Sequence, residues 1–300
     1  MTEKRKNLTA KLNMIVSCAM FGTIGLFVKA IPLPSGETAL YRAVIALVVL
    51  FFVLLLTGRL KREKLSLLKG QLLYLLLSGA AMGFNWILLF EAYNYTSIAL
   101  STLCYYFAPV IVTVSSVFLF REKPLPRQWI CSAASVAGLV LIIGVSGGGG
   151  GSDLKGVLLA LGSAVLYSTV ILLNKHIRGI DGVTRSFLQF GAAAIALAPY
   201  CALTGGFHLS ALHGTGLWAM LLVGVFHSGV LYCMYFSALS VLPGQESAIL
   251  SYIDPFIAVV LSALVLGETI TPLQLIGGVI ILLSTLINEI SPARKRRKTE

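Results

Sequence analysis

Asp254 is the residue whose position most demands a chemical account. It lies in an apolar run over 246–266, about eight residues or about 12 Å from one end. A carboxylate at such depth costs about 2.5–3.5 kcal/mol on insertion scales, so it must face a wet cavity or a partner. The competing reading is a carboxylate that bonds neighbouring helix ends or the backbone freed near Pro255. His227 is the only histidine inside an apolar run, and its depth differs from that of Asp254 by only a few ångströms. The two can touch, and such a pair would bind and release a proton near neutral pH. Equally, His227 can be a neutral ring bonded to a backbone carbonyl or a hydroxyl.

Pro109 and Pro255 also stand within apolar runs. Each lacks an amide hydrogen and frees the carbonyl four residues back, on Tyr105 and Ser251. A membrane helix tolerates such a break where protein or a water-filled cavity satisfies the backbone, so both prolines are candidate gating points; a static kink is the alternative. Trp86, Tyr105, Tyr106, Tyr167, Tyr232 and Tyr252 are candidates to line a cavity for a partly apolar ligand, although each type also serves in packing and interface belts. Tyr106 and Tyr252 stand out because each lies about one turn from its proline. Gln245 is a further binding candidate, or with Glu246 a helix cap. Arg42, near the end of its run, is expected to snorkel to the interface or to pair with Glu37, and Lys29 and Lys175 are expected to snorkel. Glu122 and Glu268 close their runs and read as structural, and Gly79-x-x-x-Gly83 permits close helix packing.

No H-E-x-x-H or Walker A pattern occurs, so no catalytic residue, metal site or cofactor is expected, and the chain does not read as an enzyme. The five cysteines, at 18, 104, 131, 201 and 233, fall in apolar stretches without C-x-x-C spacing and read as packing residues.

The elements that must hold these residues follow from composition. Hydrophobic residues make up 57% of the 300 and charged residues 12%, with a mean hydropathy of +0.89. A soluble globule cannot cover that much apolar surface. A bilayer core about 30 Å thick needs about 20 apolar residues of helix. Ten such runs occur, over 12–31, 38–57, 71–91, 97–120, 127–145, 154–174, 183–203, 216–237, 246–266 and 271–290. The first has no cleavage pattern and reads as a retained span. The short connections make neighbouring helices antiparallel.

The net charge of +11 then finds a location. With ten spans, 20 of the 23 basic residues fall on one side: Lys4 to Lys11, Arg59 to Lys69, Arg121 to Arg127, Lys175 to Arg185 and Arg294 to Lys298. That asymmetry is the positive-inside signature, so both termini are expected to be cytoplasmic in a multi-pass protein of the cell membrane. It also removes nucleic acid as a partner.

The second half repeats the first at an offset of 146. Lys29 meets Lys175, Gly83 meets Gly229, Tyr106 and Pro109 meet Tyr252 and Pro255, and Glu122, Pro126 and Gln128 meet Glu268, Pro272 and Gln274. Five spans is an odd number, so the second copy enters the membrane from the other side. The expected architecture is an all-α polytopic membrane protein built as two inverted five-helix repeats, 1–146 and 147–300, with a ligand site near mid-membrane between them. The Gly147–Gly151 run reads as a flexible joint.

With its Phe21-Gly22-Thr23, Tyr41-Arg42, Tyr106-Phe107-Ala108-Pro109, Ser251-Tyr252-Ile253-Asp254-Pro255 and Gly267-Glu268 segments, nearly the whole chain resembles the drug/metabolite transporter superfamily, and within it the EamA-type ten-span carriers. Many members carry Trp-Gly where Phe21-Gly22 stands and Glu-Pro where Asp254-Pro255 stands. The resemblance implies alternating-access movement of a small metabolite, such as an amino acid or related amphiphile, often outward, through a cavity between the halves. Protons are a candidate coupling partner and the bilayer is the solvent. A monomer or homodimer is expected. An uncoupled facilitator or exchanger and a multidrug exporter of the same fold are the alternatives, with a membrane-embedded enzyme as the competing class.

Overall fold

The computed structural model describes residues 3–58, 70–121, 124–146 and 151–289, and among them every regular element is helical. Among the described residues, nine helices are long and apolar enough to cross a bilayer, and a tenth apolar helix, Pro272–Asn288, is shorter. In hydrocarbon, backbone polar groups must be satisfied within the segment, which is why runs of this length become helices. The basic residues from Arg59 to Lys69, Glu122 with Lys123, Gly147 to Gly150 and the tail Arg294 to Lys298 lie outside the described residues.

Span one joins Glu3–Phe21 to Ile24–Lys29 across a turn at Gly22 and Thr23. Spans two and three are Ser35–Leu56 and Leu72–Ala92. Span four is broken into Ile98–Tyr105 and Ala108–Phe120. Spans five, six and seven are Pro126–Ser146, Gly151–Asn174 and Gly182–Thr204. Span eight carries a π-helical stretch, Leu222–Val230, between Gly214–Leu221 and Leu231–Leu239. Span nine is Gly244–Ser251 followed by Ile253–Leu264, and span ten is Pro272–Glu289. Most ends fall within a few residues of the hydrophobic runs.

The outer surface is apolar, as a lipid-facing surface must be: Leu56, Phe118, Leu203 and Leu264 are each more than three-quarters exposed. The interior packs through small residues. Gly79 abuts the Gln189 carbonyl and Ala192, and Gly83 abuts Ala193 and Leu197, so the Gly79-x-x-x-Gly83 pair is the face that span three presents to span seven. Gly138 and Gly277 each lie against the other's carbonyl, bringing spans five and ten together. The principal packed pairs are one with eight, three with six, two with eight, three with seven, one with nine, four with six, two with seven, four with nine, five with ten and two with three, the last matched less extensively by seven with eight. Exchanging every span for the one five places away maps this set onto itself.

Candidate functional site

The breaks in spans four and nine meet near the middle of the molecule. Pro109 lies at the start of Ala108–Phe120, and Pro255 at the start of Ile253–Leu264. The Tyr106 hydroxyl crosses between them, 3.0 Å from Asp254 Oδ2 and 3.4 Å from the Ser251 carbonyl. That carbonyl is the one Pro255 leaves free. The rings of Tyr106 and Tyr252 lie 5.8 Å apart, so the two breaks pack through their shared tyrosine. Asp254 is held from behind as well. A Cβ on Gly22 would lie 2.5 Å from the Asp254 carbonyl oxygen and 2.8 Å from Ile257 Cβ, so only glycine lets span one press this closely on span nine.

A cavity of about 570 Å³ opens in front of Asp254. Volumes of this order suit small molecules. All six aromatic candidates line it: Trp86, Tyr105, Tyr106, Tyr167, Tyr232 and Tyr252. Tyr105 stacks on Tyr167 at 5.0 Å, and Asn85 links the Tyr105 hydroxyl at 3.5 Å to Ser163 at 2.8 Å. Pro109 also faces the cavity, whereas Pro255 is buried behind Asp254. The side chain of Gln245 lies outside the described residues.

His227 does not join the site. Its Nδ1 lies 3.2 Å from the Leu222 carbonyl and its Nε2 2.9 Å from Thr23 Oγ1. A ring nitrogen can only donate to a carbonyl, so Nδ1 carries a hydrogen toward Leu222, while the single hydrogen of the Thr23 hydroxyl is shared between the Met20 carbonyl at 2.7 Å and Nε2. The ring is fully buried and absent from the cavity wall. Of the two readings left open for His227, the geometry matches the ring bonded to a backbone carbonyl and a hydroxyl, on the side of span one.

Arg42 is a correction. Helix two starts at Ser35, three residues before the hydrophobic run, so Arg42 lies two turns deep and not at the surface. It is 5% exposed and lines the cavity, with its guanidinium 4.2 Å above the Trp86 ring. Glu37, its expected partner, instead binds His208 Nδ1 at 2.5 Å and accepts from Tyr41 at 3.3 Å. Arg185, assigned from charge to a loop, also lines the cavity. The available signal for Arg42 was a stripe of small residues: Ala39, Ala43 and Ala46 share its helix face, and that face is buried.

Among the described residues, the exposed lining of the cavity is Tyr167, partway along span six, and two residues at one end. Leu239 and Gly244, where spans eight and nine turn, are exposed on the side that holds the N-terminal end of span one, and Asn174 and Arg185 stand beside them. Toward the other side its lining ends on buried Tyr93 and Ile98. There Lys29, expected to snorkel, instead forms an ion pair with Glu268, which also bonds the Ser262 hydroxyl and accepts from the Ile98 amide at 2.9 Å. Beyond lies a smaller cavity of about 330 Å³ lined by Lys29, Ser35, Thr38 and Asn94. Phe90 and Tyr93 face both cavities. Lys175, the counterpart of Lys29, donates to Ser116 at 3.0 Å.

Known proteins are similar to this chain. A transporter named YxxF of Bacillus subtilis is 32% identical over 93% of this chain and 89% of its own length. The threonine/homoserine exporter RhtA of Escherichia coli K12 is 26% identical over 81% of this chain and 77% of its own. A solved crystal structure aligns over 94% of this chain and 97% of its own with a TM-score of 0.62 at 17% identity, which shows a common fold. The EamA-like transporter family matches residues 8–144 and again 154–289. Broken helices meeting at a mid-membrane cavity, and two family matches that together cover most of the sequence, lead to one conclusion: the chain belongs to the EamA-like transporter family and is a multi-span membrane transporter.

Proposed function

We propose that this protein is a secondary carrier that exports a small amphiphilic metabolite, an amino acid or a close relative, across the cytoplasmic membrane by alternating access. The observation that carries the reading is the Asp254–Tyr106 contact at the meeting of two broken helices, inside a cavity with aromatic walls. A carboxylate in hydrocarbon is costly unless it has work at a wet site, and aromatic walls suit an apolar body. The likeness to a threonine/homoserine exporter supports the amino acid class and the outward direction.

The charge distribution supports cytoplasmic termini, which makes the present cavity inward-facing. The exchange symmetry of the packed helix pairs supports two inverted halves, 1–146 and 147–300, rocking about that cavity. Asp254 is also the group best suited to carry a proton, with His227 left in a supporting role through Thr23 and span one.

A thermal-shift screen of the purified protein against metabolites, followed by counterflow in liposomes, tests the carrier reading. Saturable counterflow is expected; a steady leak without saturation would mean a passive pore. For coupling, Asp254→Asn is expected to abolish the dependence of flux on a pH gradient, and unchanged gradient-driven flux would refute that role.

A further inference from the structure

The cavity holds more positive charge than negative. Its charged lining consists of Arg42, Arg185 and Asp254. Asp254 already accepts from Tyr106. Arg185 stands near the open end, with its guanidinium 5.8 Å from the Phe236 ring. Arg42 is the deep one. By rise per residue it lies about 10 Å from the closed end of span two, on the order of 6 Å in depth from Asp254.

The surroundings of Arg42 orient it without neutralising it. Its Nε–H donates to Ser228 Oγ at 2.6 Å. The serine hydrogen points elsewhere, to the Val223 carbonyl at 2.9 Å, as the π turn allows. Trp86 lies against the face of the guanidinium and Phe90 stands at 5.7 Å. These rings contribute cation–π attraction but accept no hydrogen bond from its edge. The other acids near this face are engaged: Glu37 with His208, and Glu91 with Ser35 and Asn94. Both Nη groups therefore lack an acceptor among the described residues, on a side chain 95% buried. A fixed planar edge with parallel N–H groups matches a carboxylate bidentately, and such charge-assisted pairs are the strong ones.

We infer that Arg42 anchors the carboxylate of the transported molecule while Asp254 faces its ammonium group, so that the cavity takes amino acid zwitterions in preference to organic cations. The inference rests on the carrier reading and narrows it: an exporter of hydrophobic drug cations would not leave an unpaired guanidinium at the closed end of its cavity.

The test is binding to the full chain in detergent, read by thermal shift with a panel of the proteinogenic L-amino acids and their carboxamides. The amide keeps the ammonium and the side chain but loses the negative charge. We expect at least one free acid to bind, with its amide about tenfold or more weaker, since the charge-assisted pair is lost. Arg42→Gln should level acid and amide, and Arg42→Lys should restore part of the preference. A merely structural arginine would alter melting temperature without changing the acid-to-amide ratio. The inference is overturned if no free acid binds, if amides bind as well as acids, or if folded Arg42→Gln, judged by its elution profile, keeps the wild-type preference. Acid-selective binding without counterflow in liposomes would defeat the carrier reading and leave the anchor standing. Counterflow of organic cations that ignores Arg42→Gln would do the reverse.

Discussion

At the break in span four, Tyr106 is followed by Phe107, Ala108 and Pro109; at the break in span nine, Tyr252 is followed by Ile253, Asp254 and Pro255. The neighbouring helices differ in a matched way. The Ser168 hydroxyl of span six shares its one hydrogen between the Ala108 carbonyl of span four at 3.0 Å and the Ala164 carbonyl of its own helix at 2.7 Å. Its counterpart at the same offset in span one is Gly22, whose bare backbone presses on the Asp254 carbonyl. One copy therefore joins its helices by a side-chain hydrogen bond, the other by close backbone approach. The copy with the closer approach is the one that carries the charge. A duplicated break supplies a scaffold twice, and chemistry has been placed in only one of the two.

The largest test of that difference is removal of the charge. Asp254→Ala is expected to lower counterflow by more than about tenfold, a loss of about 1.4 kcal/mol or more, while Ala108→Ser leaves it within about twofold. Equal losses would mean that the breaks are functionally alike. Next comes the approach itself. Gly22→Ala forces spans one and nine apart and should cost about 1–3 kcal/mol of stability. Ser168→Ala should cost about 1 kcal/mol, the worth of one hydrogen bond. Melting curves in detergent compare the two, and a larger loss at Ser168 would reverse the assignment of the tighter joint.

Cysteine labels beside Pro109 and Pro255 ask whether both breaks move. If the breaks are gates, substrate should raise labelling at one and lower it at the other, and invariant labelling would make them static kinks. The smallest effect is expected from Tyr106→Phe. It removes one donor to Asp254 at a cavity wall where water can take the place of the hydroxyl, so the net loss is expected to stay below about 1 kcal/mol. Its readout is a modest fall in apparent substrate affinity in counterflow.

The fold was legible because a bilayer leaves few options: a run of twenty apolar residues becomes a helix whatever its neighbours do. The breaks at spans four and nine were legible because proline cannot donate. The turn at Gly22 and Thr23 was not, since neither residue prohibits a helix, and the π stretch of span eight has no residue that announces it. Those two features decide where His227 points, so its depth could be read but its direction could not. Arg42 was misjudged by three residues of helix start and by a nearer acid, Glu37, that belongs to His208. The six aromatics were placed in the cavity wall by depth and type alone, and they do line it.

Phe90 and Tyr93 separate the central cavity from the smaller one beyond it. Were both cavities filled with water, that aromatic layer would be where the low-dielectric barrier is thinnest, and much of the membrane voltage would fall across it. A full charge carried through such a layer exchanges about 2.3 kcal/mol with each 100 mV, whereas a zwitterion exchanges almost none. The position of these two rings makes the electrical signature of transport a direct report on the net charge of what passes them.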